Sequence, residues 1–265
     1  MQEQIPAFDH CRIERDQEGL YTATITGAGE LNILSSTVTR SLTEAMVWLR
    51  ARDDARAVIL RGSGERAFLG GANIYEMAEC TPQTARAFIA GLRDLCEAVR
   101  GIPVPTIARI PGICLGAGLE LAAACDMRLA APAARFGMPE VRIGIPSVIH
   151  AALLPGLIGQ GATNWLLLTG EMLGAEEACR MGLVEFVSAD QAGLDALIAR
   201  STRGILESGP AAVRTQKALL RHWQGASLEA AVANSVEVFG ASFRSDEPQR
   251  YMAPFVARRA ARKGE

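Results

Sequence analysis

Thr106–Gly144 reads TIARIPGICLGAGLELAAACDMRLAAPAARFGMPEVRIG, and the fold turns on how it is read. Thr106 to Ile110 is a short apolar strand, stopped by Pro111-Gly112. A turn of small residues, Leu115-Gly116-Ala117-Gly118, then opens a helix. The first N–H groups of a helix lack intrahelical partners, so this turn presents hydrogen-bond donors. Glu120 sits just inside the helix, in an otherwise apolar run, and Glu140 follows at the next Gly/Pro-punctuated turn. Donors beside two carboxyl groups in apolar surroundings make a place where an anion can form and protons can move.

Other glycine-turn chemistries fit poorly. A dinucleotide site asks for G-x-G-x-x-G, and Leu121 stands where the third glycine belongs. A phosphate loop needs a lysine that is absent, and no G-x-S-x-G elbow is present. Each glutamate also has an ordinary explanation, an ion pair: Arg109, Arg128 or Arg142 are the candidate partners of Glu120, and Arg142 that of Glu140. Two carboxyl groups flanking one donor-rich turn weigh toward chemistry.

Composition narrows the class. Of 265 residues, 49% are hydrophobic and 21% charged, the balance of an ordinary globular protein. A net charge of -2 gives no footprint for nucleic acid or an anionic membrane. Cys11, Cys80, Cys96, Cys114, Cys125 and Cys179 show neither CxxC pairing nor metal spacing, which suits a reducing, cytoplasmic setting. The N-terminus lacks the pattern of a signal peptide. Residues 143–170 carry no formal charge, but Pro146, Pro155, Gly156, Gly159 and Gly161 divide the run, so it reads as buried core rather than a membrane span.

Working outward, Cys11–Arg15 and Tyr21–Thr26 read as strands around a polar turn. Ser36 is the expected cap of a helix over Thr37–Arg52, and Ala57–Leu60 is a buried strand. Gly70-Gly71 allows backbone geometry closed to other residues. Thr81-Pro82 starts a helix that runs to Arg100. Beyond the quoted stretch, helices are expected over Ala151–Leu157, Ala162–Leu168 and Ala175–Met181, then a strand over Leu183–Val187. Asp190 caps a further helix, and three more start near Pro210, Ser227 and Ser245. Mixed elements followed only by helices predict an α/β core with a helical appendage. His10 and His222 read as solvated, and His150 as a structural group or a specificity contact. With no H-x-x-x-H spacing, no metal site is expected. Cys114 reads as a small core residue rather than a nucleophile.

The segments Glu65–Met77, Pro105–Ala131, Ala134–Ile145 and Leu166–Val187 resemble the crotonase, or enoyl-CoA hydratase/isomerase, superfamily, and the resemblance spans essentially the whole chain. It implies a spiral of ββα units, residues 1–205, followed by a helical oligomerisation region, residues 206–265, assembled as a homotrimer or a dimer of trimers. It also implies an acyl-CoA thioester substrate, with no cofactor besides the coenzyme A of the substrate itself. An oxyanion hole would be formed by the N–H groups of Ala72 and Ala117, with Glu120 holding and activating water and Glu140 exchanging the Cα proton. Gly71, Asn73, Ile74 and Gly116 would join the substrate site. Two departures stand out. Asn73 replaces the usual Asp, and Ile145-Pro146-Ser147-Val148-Ile149-His150 replaces a Pro-Gly-x-Gly-Gly run, which places Ser147 and His150 at the acyl pocket. The expected activity is hydration of a 2-enoyl-CoA. The alternatives are an enoyl-CoA isomerase or related acyl-CoA enzyme, and a non-catalytic acyl-CoA- or RNA-binding paralogue.

Overall fold

β1 (Cys11–Arg15) and β2 (Leu20–Ile25) form an antiparallel hairpin. Asp16 Oδ1 closes its turn by accepting the N–H groups of Glu18 and Leu20. After α1 (Ser36–Arg50) the chain settles into a repeat. A longer buried strand is followed by a three-residue strand and then by helix: β3 (Ala57–Arg61), β4 (Ala67–Leu69), α2 (Ile74–Ala78) and α3 (Pro82–Arg100). The next turn is β5 (Thr106–Ile110), β6 (Ile113–Leu115) and α4 (Ala117–Ala124). The third is β7 (Met127–Ala130), β8 (Arg135–Gly137), two 3₁₀ turns at Pro139–Ile143 and Ile149–Leu153, and α5 (Leu154–Thr169). β9 (Met172–Gly174), α6 (Ala175–Met181), β10 (Phe186–Val187) and α7 (Gly193–Leu206) complete it. This is a computed structural model, and it describes residues 4–261.

The repeat builds two sheets at once. One sheet runs in the order β1-β2-β3-β5-β7-β10, parallel from β2 onward, and the other, made of three-residue strands, in the order β4-β6-β8-β9. Each ββα unit adds one strand to each sheet, which makes the spiral. β5 is buried along its whole length, as expected for a parallel strand covered on both faces. Arg109 in β5 is kept by its ion pairs, to Glu65 at 2.9 Å and Asp195 at 2.6 Å.

Several boundaries differ from the sequence reading. α1 is capped by Ser35, not Ser36: Ser35 is extended and its Oγ accepts the Val38 N–H at 3.2 Å. Ser36 instead donates its N–H to Glu76 Oε2 at 2.9 Å, and its hydroxyl bonds the other oxygen. α3 begins as read, with Thr81 and Thr84 exchanging side chain-to-backbone bonds in a capping box. The segment read as a helix from Ala151 starts as the 3₁₀ turn Ile149–Leu153. α5 is broken at Gly159, whose φ of 75° and ψ of 162° are not helical. Only Phe186–Val187 of the expected last strand pairs, and His10 is half-buried against Thr26 O rather than solvated.

The chain divides into two compact units, Met1–Thr202 and Arg203–Glu265. The second holds α8 (Pro210–Trp223), α9 (Leu228–Ser242, capped by Ser227) and α10 (Glu247–Ala261). Glu247, not Ser245, opens α10, and its buried carboxylate accepts the N–H groups of Ala211 and Ala212 at the start of α8. Among the described residues no helix is long and apolar enough to cross a membrane.

Candidate active site

The small-residue turn does what its composition suggests. Gly116, at φ 51° and ψ −124°, takes a backbone conformation that side chains avoid, and its N–H is held by Gly137 O at 2.9 Å. A Cβ on Gly116 would run into Glu140 Oε1. Ala117 is the first residue of α4, and among the described residues its N–H has no acceptor. Gly118 presses the helix start onto β4: a Cβ there would lie 2.5 Å from Leu69 O.

That contact ties α4 to the loop after β4. Gly70 N–H bonds Leu31 O at 2.7 Å, Leu34 N–H bonds Gly71 O at 2.9 Å, and Asn73 N–H bonds Leu34 O at 2.8 Å. Ala72 lies between these anchors, and among the described residues its own N–H has no acceptor either. Two loops far apart in sequence thus each offer one backbone donor. Asn73 does not reach the cavity. It caps α2, its Oδ1 accepting the N–H groups of Tyr75 at 3.1 Å and Glu76 at 3.3 Å. Asn performs that capping as Asp does, so the departure at 73 leaves the loop intact.

Glu120 and Glu140 face a common cavity of about 280 Å³. Its walls are apolar: Ile33, Ile74, Met77, Ile89, Leu92 and Leu115 on one part, Ile143, Ile145, Pro146 and Val148 on another. Gly71, Ala72, Gly116, Ala117 and Ser147 also line it. Glu120 is only 4% exposed, yet none of the three arginines considered from sequence pairs with it. Arg109 pairs with Glu65 and Asp195, Arg128 with Glu185, and Arg142 with Glu171. Glu120 Oε1 instead accepts the Ala151 N–H at 3.0 Å. Burial pushes the Glu120 carboxyl up from 4.5 to about 8; the Ala151 N–H opposes the rise and the Glu140 charge adds to it. At pH 7 Glu120 therefore carries a proton. Glu140 is half-buried, its Oε2 accepting the Ser147 hydroxyl at 2.8 Å.

His150 is not a cavity residue. It is 7% exposed, with Nε2 2.8 Å from Glu97 Oε1 on α3. The pair anchors the 3₁₀ turn next to Ala151, the residue that bonds Glu120. This is the structural role weighed for a lone histidine in an apolar segment. Cys114 is fully buried, and burial pushes its thiol up, which removes it as a nucleophile. Sequence reasoning missed Leu34 and Ala151, which act through backbone atoms and so leave no mark on residue type. It also missed Ile33, Met77, Ile89 and Leu92, whose periodicity marks only a helix or strand face.

The chain matches the family model described as enoyl-CoA hydratase/isomerase over residues 15–263. It is 30% identical to the crotonyl-CoA hydratase of Syntrophomonas wolfei, across 96% of this chain and 98% of that protein. It is 34% identical to a probable enoyl-CoA hydratase of Mycobacterium bovis, across 96% of this chain and 97% of that one. The crystal structure of an enoyl-CoA hydratase from Mycobacterium smegmatis superimposes with a TM-score of 0.90 at 29% identity, covering 94% of this chain and 96% of that one. The sequence match along nearly the whole chain and the agreement in fold together establish that the chain is a member of the enoyl-CoA hydratase/isomerase family, with the crotonase fold.

Proposed function

We propose that the protein is an enoyl-CoA hydratase, adding water across the double bond of a 2-enoyl-CoA thioester. The observation that carries this reading is the convergence of the Ala72 and Ala117 N–H groups with two glutamates on one apolar cavity. When water adds at Cβ, electron density moves to the thioester oxygen. Two fixed N–H donors stabilise that enolate-like oxygen more than the neutral ground state, each by about 3 kcal/mol. Glu120 lies on α4 beside one donor and serves the water at Cβ. Its ionised form takes a proton from water, and its protonated form returns one to the departing hydroxyl in the reverse direction. Glu140, beside Gly116, exchanges the proton at Cα. Each direction needs one proton resident on the pair. Water addition moves no electrons between protein and substrate, so the reading needs no resident cofactor.

The test is conversion of crotonyl-CoA to its 3-hydroxy product, followed as loss of the conjugated enoyl absorbance. Glu120→Gln and Glu140→Gln should each lower turnover by about 10²–10⁴-fold, the range for a positioned acid or base. Full activity in either variant refutes its role. A double-bond shift in a 3-enoyl-CoA without hydration would identify an isomerase instead. Binding of acyl-CoA without turnover would identify a non-catalytic paralogue.

We also propose a homotrimer or dimer of trimers, supported by the exposed stripe of Leu228, Val232, Val236 and Phe239 along α9, continued by Phe243 just past its end, a face that calls for a cover. A monomeric mass by light scattering refutes it. Among the described residues none of the six cysteines forms a disulfide, which supports a cytoplasmic, reducing setting.

A further inference from the structure

The geometry points to Ser147 as a positioning residue for Glu140: its hydroxyl holds the carboxylate by Oε2 and fixes Oε1 beside Gly116, next to the Ala117 donor. This rests on the hydratase reading of the cavity.

Glu140 sits in a short 3₁₀ turn, and a glutamate there has several rotamers open to it. One side-chain donor holds it, the Ser147 hydroxyl at 2.8 Å. Neighbouring charges do not take that part. Arg142, two residues on, gives its Nε to Thr169 O at 3.1 Å and its guanidinium to Glu171 at 2.6 Å. Glu120, protonated at pH 7, brings no positive charge with which to orient it. With Oε2 tied, Oε1 lies against the Gly116 backbone, in space a Cβ would fill. The bond is also sterically prepared. Ile145 N–H bonds Glu140 O at 3.2 Å and folds the chain back, bringing Ser147 over the carboxylate.

The segment that follows is held at its other end. Ala151 N–H bonds Glu120 and His150 pairs with Glu97. Between them Ile149 takes a φ of 37°, unusual for a β-branched residue. One strap of five residues therefore fixes both carboxyl groups, Glu140 through a side chain and Glu120 through a backbone N–H. A glycine at 147, expected from the family pattern, has no hydroxyl to give. Serine is this chain's addition to the acid pair.

The test uses the full-length protein with two probes: crotonyl-CoA for hydration, and butyryl-CoA in D₂O for exchange of its Cα protons. Ser147→Ala should lower kcat and the exchange rate by about tenfold to a hundredfold, as a misplaced reacting group does, with KM within about twofold of wild type. Ser147→Thr, which keeps the hydroxyl, should restore both rates to within about threefold. In a Glu140→Gln background, Ser147→Ala should cost less than about twofold, because the two groups act as one unit. A raised KM with unchanged kcat would make Ser147 a mere acyl contact and overturn the assignment. Multiplicative losses in the double variant would overturn it as well. Exchange without hydration in the wild type would refute the hydratase reading alone, since the Ser147 cycle is still read on exchange.

Discussion

Replacing Glu120 by glutamine preserves the side chain's shape and its acceptor for the Ala151 N–H, but removes the ability to ionise in an apolar cavity. In the folded protein this carboxyl titrates at about 8, against 4.5 when unperturbed. Below pH 4.5 both folded and unfolded chains hold the proton, and the group adds no pH dependence. Between 4.5 and about 8 the unfolded chain has released it while the folded chain keeps it, so stability falls as pH rises. Above about 8 both states are ionised and the loss levels off. At about 1.4 kcal/mol per unit, the whole window amounts to about 5 kcal/mol, a large share of the 5–15 kcal/mol by which domains are typically stable. Glu120→Gln should therefore match the wild type near pH 5 and exceed it by several kcal/mol at pH 8.5, while losing turnover. The assay is urea denaturation of both proteins at fixed protein concentration over that range, since assembly makes apparent stability concentration-dependent. Parallel pH dependences would refute the reasoning, because they would mean that the buried carboxyl ionises without cost.

The same titration predicts the pH–rate profile. In the dehydration direction Glu120 must hold the proton it returns to the departing hydroxyl, and it gives that proton up at about 8, so kcat/KM for the 3-hydroxyacyl-CoA should fall about tenfold per unit above that pH. A rate that keeps rising past pH 8 would mean the proton is not used. Gly116→Ala introduces a Cβ that meets Glu140 Oε1, at a φ of 51° that alanine tolerates poorly. Turnover should drop by about 10²-fold or more, since both the Ala117 donor and the acid are displaced. An active Gly116→Ala variant would show that the turn is not the donor loop.

What was legible in the sequence follows from how each feature is encoded. Thr81-Pro82 predicted the start of α3 because a cap and a proline at the first turn are local signals. Gly182 ended α6 for the same kind of reason. The serine pair at the head of α1 was not separable, since two adjacent hydroxyls compete for one N–H. The choice fell to Ser35 because Ser36 is drawn to Glu76, forty positions away. The second sheet left almost no signal. β4, β6, β8 and β9 are three residues each, too short for any alternation to show. At the site, Glu120 and Glu140 were visible as carboxyl groups in apolar company. The partner of Glu120 was not, because a backbone N–H carries no residue identity. His150 was placed at the pocket for a related reason: it ends the run that the family resemblance marks as pocket wall, and nothing local shows that Glu97 awaits it on α3.

The two backbone donors come from loops that are fixed only by remote contacts. Ala72 is pinned through Leu34, Ala117 through Gly137 and Leu69, and Glu120 through Ala151. No single hairpin or helix of the chain contains a working fraction of the cavity. A substitution at Leu34, Leu69, Gly137 or Ala151 therefore reaches the chemistry without touching the cavity wall, because each holds a donor or an acid from behind.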